Sequence, residues 1–105
     1  MNGKIEIIEN DKNQSINDFY QTFKEKLEET HIFPTDYIFK FILSSDEKKI
    51  AKLYAIFESV KANFSLKDSR TGKYISVTIK APVNDADDIL IYYRQVASID
   101  GIVML

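Results

Sequence analysis

Few side chains in this 105-residue sequence could do chemistry. It contains no cysteine and a single histidine, His31, so it has no thiolate nucleophile, no zinc–thiolate site and no site that needs two imidazoles. His31 directly follows a predicted helix, where a cationic side chain can interact with the terminal carbonyl groups. We therefore interpret His31 as a helix-end residue, and we predict no catalytic residue, no metal site and no cofactor.

Three neighbouring acids, Asp85, Asp87 and Asp88, could be considered as ligands for a hard cation. Their spacing is not that of a calcium-binding loop, and the glycine of such a loop is absent. Acids are also favoured at the start of a helix, where they cap free N–H groups and interact with the helix dipole. We interpret this group as a helix start, with Asn84 as the N-cap and Asp87 as its partner.

A basic cluster around a predicted hairpin turn is the first choice for a binding site. Residues 69–72 have the composition of such a turn, and cationic residues flank it on both sides. Turn amides together with cationic side chains can hold a phosphate or a carboxylate. The alternative is a solvated turn, because exposed hairpin tips are ordinarily polar. The predicted ligand-binding residues are Lys40, Lys67, Ser69, Arg70, Lys73 and Tyr74.

Apolar residues that recur three and four positions apart predict three helices that would position these side chains. The first is an amphipathic helix over residues 16–30, which begins with a capping box at Ser15. The second begins at Ser44 or Ser45, and the third begins at Asn84.

A run dense in aromatic and β-branched residues predicts a strand over residues 37–43. Alternation of apolar and polar residues predicts two more, over residues 62–68 and 73–81. Pro82 is expected to end the third strand, because proline cannot donate a backbone hydrogen bond. Residues 102–105 are too apolar to be left in solvent, so they predict a fourth strand that pairs with the sheet.

The order of these elements predicts an α+β protein with the ferredoxin-like βαββαβ arrangement. This arrangement has a four-stranded antiparallel sheet with two helices on one face, and the N-terminal helix is an addition to it. Right-handed crossovers place the first and third strands at the centre of the sheet. We expect residues 1–15 to be an extension with a short optional strand and a linker, residues 16–35 to be the extra helix and its connector, and residues 36–105 to be the ferredoxin-like domain.

Charge and hydropathy restrict the partners. The formal net charge of −2 gives no general attraction to nucleic acid or to anionic membranes. The longest apolar runs have about five residues, as at residues 101–105, far shorter than the roughly 18–20 residues of a membrane-spanning helix, and we expect no signal-like segment after the N-terminus. We expect a cytoplasmic protein that is a monomer or a weak homodimer and does not bind membranes.

The sheet face without helices suggests an alternative function. RNA-recognition domains of similar topology stack bases on the aromatic residues of this face. Here its one predicted aromatic residue is Tyr74, and the chain is acidic, so single-stranded RNA binding is kept only as the alternative. Cover by the N-terminal helix or by another protein would explain the apolar residues of this face. Its predicted residues are Ile38, Lys40, Ile42, Tyr74, Ser76, Thr78 and Lys80.

Beyond the topology, five segments carry a resemblance in their order and spacing. They are Phe33-Pro34, Tyr37 to Ile42, Gly72 to Ser76, Asp87 to Ile89 and Ile99 to Leu105. Together they resemble the YbeD-like family of small bacterial domains of unknown function, and residues 19–31 look like the N-terminal helix of its Bacteroidetes members. The resemblance covers residues 16–105.

The resemblance implies a ferredoxin-like fold similar to the ACT regulatory domains, which bind small metabolites, and a loose link to lipoate metabolism. It implies no catalytic residues. We therefore predict a small, non-catalytic regulatory or adaptor domain that binds a partner protein or a small anionic metabolite. In the metabolite case, Lys40, Arg70 and Lys73 would hold an anionic effector.

Overall fold

The computed structural model describes residues 18–105. The first helix, α1, occupies residues 18–30 of this part of the chain, while the predicted cap at Ser15 and the optional strand lie outside the described residues. The chain divides into two units between Ile32 and Phe33. The second unit contains the remaining elements: β1 (Thr35–Ser44), α2 (Glu47–Ile56), β2 (Asn63–Asp68), β3 (Tyr74–Val83), α3 (Ala86–Val96) and β4 (Val103–Met104).

The four strands form one antiparallel sheet in the order β2-β3-β1-β4. This order confirms that the first and third strands are central. β1 and β3 pair along their whole length, from Thr35 opposite Val83 to Ser44 opposite Tyr74. β4 is shorter than predicted and pairs with β1 only opposite Phe41 and Ile42. The result is the predicted α+β ferredoxin-like architecture, with α1 as the additional helix.

One face of the sheet carries the core, because alternate residues of a strand point to opposite faces. Phe39, Phe41 and Leu43 of β1 are buried on this face. The ring of Phe39 lies at the centre of an aromatic cluster, 5.2 Å from Phe57 at the end of α2 and 5.6 Å from Tyr92 of α3. Burying a side chain of this size stabilises the fold by about 1.5–3 kcal/mol. This cluster therefore joins both helices to the sheet.

Helix α1 ends at Thr30, as predicted. The Thr30 hydroxyl donates to the carbonyl of Lys26 at 2.7 Å, and the backbone N–H of His31 donates to the carbonyl of Leu27 at 3.0 Å. Earlier in the helix, the rings of Phe19 and Phe23 stack with their centroids 6.2 Å apart. Two carbonyls near the end of the helix, those of Lys26 and Leu27, are thus satisfied locally.

Both predicted caps of the later helices are wrong by one or two residues. α2 is capped by Asp46, whose carboxylate accepts from the N–H of Lys48 at 2.9 Å, because Ser44 is still part of β1. α3 is capped by Asp85 and not by Asn84, since the Asp85 carboxylate accepts from the N–H of Asp88 at 2.9 Å. In both helices the predicted and the observed cap are close neighbours in the sequence, and serine, asparagine and aspartate are all good N-caps.

The predicted end of β3 at Pro82 is also wrong, because the strand continues to Val83. β2 pairs with β3 only as far as Asn63 opposite Lys80, so β3 has no strand on that side at Pro82. A proline is tolerated at such an edge because its missing N–H would have had no partner there. β3 therefore continues along β1 past the proline.

Candidate functional site

The β2–β3 hairpin is closed by a small set of backbone interactions. The N–H of Ser69 donates to the carbonyl of Tyr74 at 2.9 Å, and the N–H of Tyr74 donates to the Ser69 hydroxyl oxygen at 3.1 Å. Gly72 donates to the Ser69 carbonyl at 3.0 Å and has a φ of 73°, a conformation that glycine adopts without a steric penalty. This turn places the residues of the predicted basic cluster at one end of the sheet.

A pocket of about 290 Å³ lies beside this turn. Four of the six predicted ligand-binding residues line it, namely Lys67, Ser69, Arg70 and Tyr74. Lys40 and Lys73 are not among its lining residues. Among the described residues, the lining is Ile42, Lys67, Asp68, Ser69, Arg70, Tyr74, Ile75 and Ser76.

Strand register explains why the pocket has this composition. Lys67 of β2 lies opposite Ser76 of β3, and Ser76 lies opposite Ile42 of β1. The three side chains therefore form a row across the sheet face opposite to the core. Tyr74 is two residues before Ser76 on the same face, and it closes the pocket at the hairpin end. Lys40 is two residues from Ile42, one row farther from the turn.

The pocket combines charge, a hydroxyl and apolar surface. Lys67 and Arg70 contribute two positive charges, while Asp68, which also lines the pocket, lies opposite Ile75 and directs its side chain to the other face of the sheet. The Ser69 oxygen accepts from the N–H of Tyr74, which leaves the Ser69 O–H group able to donate. Arg70 can donate two parallel hydrogen bonds to a carboxylate or phosphate. The arrangement is therefore suited to an anionic group next to an apolar one.

Sequence reasoning missed four lining residues: Ile42, Asp68, Ile75 and Ser76. The alternation of β1 and β3 had already placed Ile42 and Ser76 on the open sheet face, so part of the signal was present in the sequence. The missing information was the register that puts them in one row with Lys67. Lys73 has another role, since its backbone carbonyl accepts from the N–H of Ser45 at 3.0 Å and ties the loop after β1 to the hairpin.

A larger cavity of about 530 Å³ lies on the helical side of the domain, between α2 and α3. It is lined by Ala55, Ile56, Gln95 and Ser98, and none of these carries a charge. The Ser98 hydroxyl already donates to the carbonyl of Gln95 at 2.7 Å. This cavity therefore offers less for specific recognition than the smaller pocket at the hairpin.

The other residues considered in the sequence serve the ends of helices. The His31 Nδ1 atom lies 2.9 Å from the Thr30 hydroxyl oxygen and 3.3 Å from the Leu27 carbonyl oxygen. Asp88 accepts from the backbone N–H of Asn84 at 2.8 Å, while Asp85 caps α3. These contacts agree with the interpretation of His31 and the acidic group as helix-end residues.

Two tyrosines of α3 have raised pKa values. Burial is the main cause of the raised pKa of Tyr92, and the negative charge of Asp88 adds to it. Burial also raises the pKa of Tyr93, with a further contribution from its hydrogen bond to Tyr37. Both rings lie within about 6 Å of Phe39 in the aromatic cluster. Core packing explains both shifts without reference to a ligand.

Fold and pocket together define a ferredoxin-like α+β domain with a cationic pocket on the sheet face that α2 and α3 leave open. The family model described as protein of unknown function (DUF493) matches residues 28–105, so the chain belongs to this family. This confirms the resemblance to the YbeD-like proteins.

A solved structure has a similar fold. The solution structure of protein HP0495 from H. pylori is 16% identical to this chain and superimposes with a TM-score of 0.58, over 72% of this chain and 86% of that protein. At this identity the similarity concerns the fold alone. No curated protein matches the chain. Among the described residues, no helix combines the length and apolarity needed to cross a membrane.

Proposed function

We propose that this chain is a non-catalytic regulatory domain that binds a small anionic metabolite at the β2–β3 hairpin. The observation that carries the proposal is the pocket itself. It brings Lys67, Arg70 and the Ser69 hydroxyl to one place, beside the apolar side chain of Ile42 and the ring of Tyr74. None of the pocket residues is a histidine or cysteine that could activate a nucleophile, so the arrangement supports binding rather than turnover.

The shape of the pocket restricts the ligand. A volume of about 290 Å³ is at the lower end of the range for ligand pockets, roughly 300–1,000 Å³. The cationic side chains would bind a carboxylate or phosphate, and Ile42 with the Tyr74 ring would contact a short apolar tail. A carboxylic acid with an aliphatic chain, the chemistry of lipoate, has both parts. This ligand class also agrees with the loose link to lipoate metabolism that the family resemblance implies.

The test is a titration of the ¹⁵N-labelled full chain with inorganic phosphate, octanoate and lipoate, followed by amide chemical shifts. We expect one of the carboxylates to bind saturably at millimolar concentration or below and to shift the amides of residues 67–76. Arg70→Ala should weaken that binding about tenfold or more, because a hydrogen bond to a charged group contributes roughly 1.5–3 kcal/mol. Lys52→Ala, on the exposed surface of α2, is the matched control and should leave binding unchanged.

Two results would contradict the proposal. One is the absence of saturable binding by all three probes at millimolar concentration. The other is an equal loss of binding in the Arg70 and Lys52 variants, since this would show a general effect of charge. Oligouridine should also be tested at low salt. Binding that weakens with Tyr74→Ala, without any response to the small anions, would favour single-stranded RNA as the ligand.

A further inference from the structure

The sheet face opposite to the core, which we call the open face, carries a second feature besides the pocket. We propose that the open face docks an acidic amphipathic helix from a partner protein. This goes beyond the proposed metabolite site, because it rests on residues of β1, β3 and β4 on the side of the pocket away from the hairpin. Three observations carry it: an apolar strip, a set of lysines that form no ion pair with another described residue, and the dimensions of the face.

The apolar strip follows β1 and β4. Ile38, Val103 and Leu105 are 55%, 51% and 66% exposed. Val103 lies opposite Ile42 of β1, and the backbone N–H of Leu105 donates to the Lys40 carbonyl at 2.9 Å. These pairings place Val103 and Leu105 beside the open-face residues of β1. Several large apolar side chains in one exposed area mark an interaction surface more often than a solvated one.

The charges of this face have one predominant sign. Lys40 and Lys80 occupy open-face positions on the two central strands, and Lys67 of the pocket adds a positive charge on β2; none of the three forms an ion pair with another described residue. Among the described strand residues of this face, the acid is Asp36, near the start of β1. The face is therefore cationic although the whole chain has a net charge of −2. It would attract an acidic partner and repel a basic one.

The dimensions fit a helix. Ile38 and Ile42 are four residues apart on one strand, which corresponds to about 14 Å. A helix of about ten residues has nearly the same length, and its apolar stripe could lie along the strip while acidic residues on its flanks meet Lys40 and Lys80. Single-stranded RNA fits less well, because Tyr74 is the aromatic residue among the described open-face positions and stacking normally uses several.

The experiment uses a fluorescein-labelled peptide of about 14 residues, with leucines at helical spacing and glutamates elsewhere. We expect it to bind the full chain with an affinity that falls as salt is raised, and to shift the amides of Ile38, Lys40 and Val103. A control peptide with lysine in place of glutamate should not bind. The double variant Lys40→Glu, Lys80→Glu should weaken binding about tenfold or more. The charge-matched control Lys48→Glu, Lys52→Glu, on exposed positions of α2, should not weaken it.

The proposal is overturned if the acidic peptide does not bind at low salt, or if both double variants weaken it equally. It is also overturned if oligouridine binds the face more tightly than the peptide, if Ile38→Asp dissociates a dimer of the free chain, or if Ile38→Asp shifts the amides of residues 1–17. These last two results would show that a second copy or the chain's own N-terminal segment occupies the face. Arg70→Ala should remove small-anion binding and leave peptide binding, so the two proposals can fail separately.

Discussion

The two faces of the sheet are built from the same strands, but they differ in burial and in composition. On β1, Phe39 is fully buried, while its neighbour Ile38 is 55% exposed. The face with Phe39 is packed by α2 and α3 around an aromatic cluster, whereas the open face carries hydroxyl groups, lysines and a few exposed aliphatic residues. The difference assigns the packing that stabilises the fold to the covered face, and it is the reason why we propose recognition at the open face. The following substitutions test this division, beginning with the largest expected effect.

The substitution Phe39→Ala should lower the free energy of unfolding by about 3–5 kcal/mol, because it leaves a cavity at the centre of the aromatic cluster. Urea unfolding followed by circular dichroism measures this loss. Ile38→Ala is the matched control on the opposite face, and it should cost less than about 1 kcal/mol. Similar losses in the two variants would show that the open face is packed in solution, and the division between the faces would then be wrong.

The substitution Asp85→Ala should lower stability by about 1 kcal/mol, because it removes the side-chain acceptor for the N–H of Asp88 at the start of α3. Asn84→Ala is the control, since Asn84 uses its backbone N–H and not its side chain in this cap. Thermal unfolding of the two variants distinguishes them. A larger loss of stability in Asn84→Ala than in Asp85→Ala would show that Asn84 is the N-cap, as the sequence predicts.

The raised pKa of Tyr93 predicts a loss of stability at alkaline pH. Below about pH 10 the tyrosine is neutral in both the folded and the unfolded chain, so its contribution is complete. Above about pH 10 it ionises first in the unfolded chain, and the folded state loses stability as the pH rises towards the folded-state pKa.

Urea unfolding at about pH 8 and about pH 11 measures this loss. Tyr93→Phe should show a smaller decrease between the two pH values than the unsubstituted chain. Tyr74→Phe, on the open face, is the matched control. An unchanged pH dependence in Tyr93→Phe would contradict the assignment of this effect to the covered face.

The smallest effect is expected for Lys40→Glu and Lys80→Glu. Both lysines are exposed and form no ion pair with another described residue, so each substitution should change the free energy of unfolding by less than about 0.5 kcal/mol. Lys52→Glu on α2 is the control. A loss above about 1 kcal/mol at either open-face position would indicate that something packs on this face. Stability that is unchanged while peptide binding is lost would support the assignment of the face to recognition.

Local patterns in the sequence were sufficient for most of the fold. The alternation around Phe39 and the spacing around Leu53 are visible in a few residues, so the kinds of element and their order could be predicted. The exact ends of the helices and strands could not be predicted from these local patterns. Asn84 and Asp85 are both good caps, and the choice between them depends on where the chain leaves β3. Pro82 could remain in β3 only because β2 ends before it.

By itself, the sequence determined the α+β class, the strand and helix order, the family resemblance and the basic composition of the hairpin, because all of these are recorded in neighbouring residues. Only the tertiary structure decided which basic residues share a pocket. Lys67, Ser76 and Ile42 meet because three strands pair in one particular register, whereas Lys40 lies one row away and Lys73 does not line the pocket. Register joins residues that are far apart along the chain, and a shift by one residue would move every side chain to the other face.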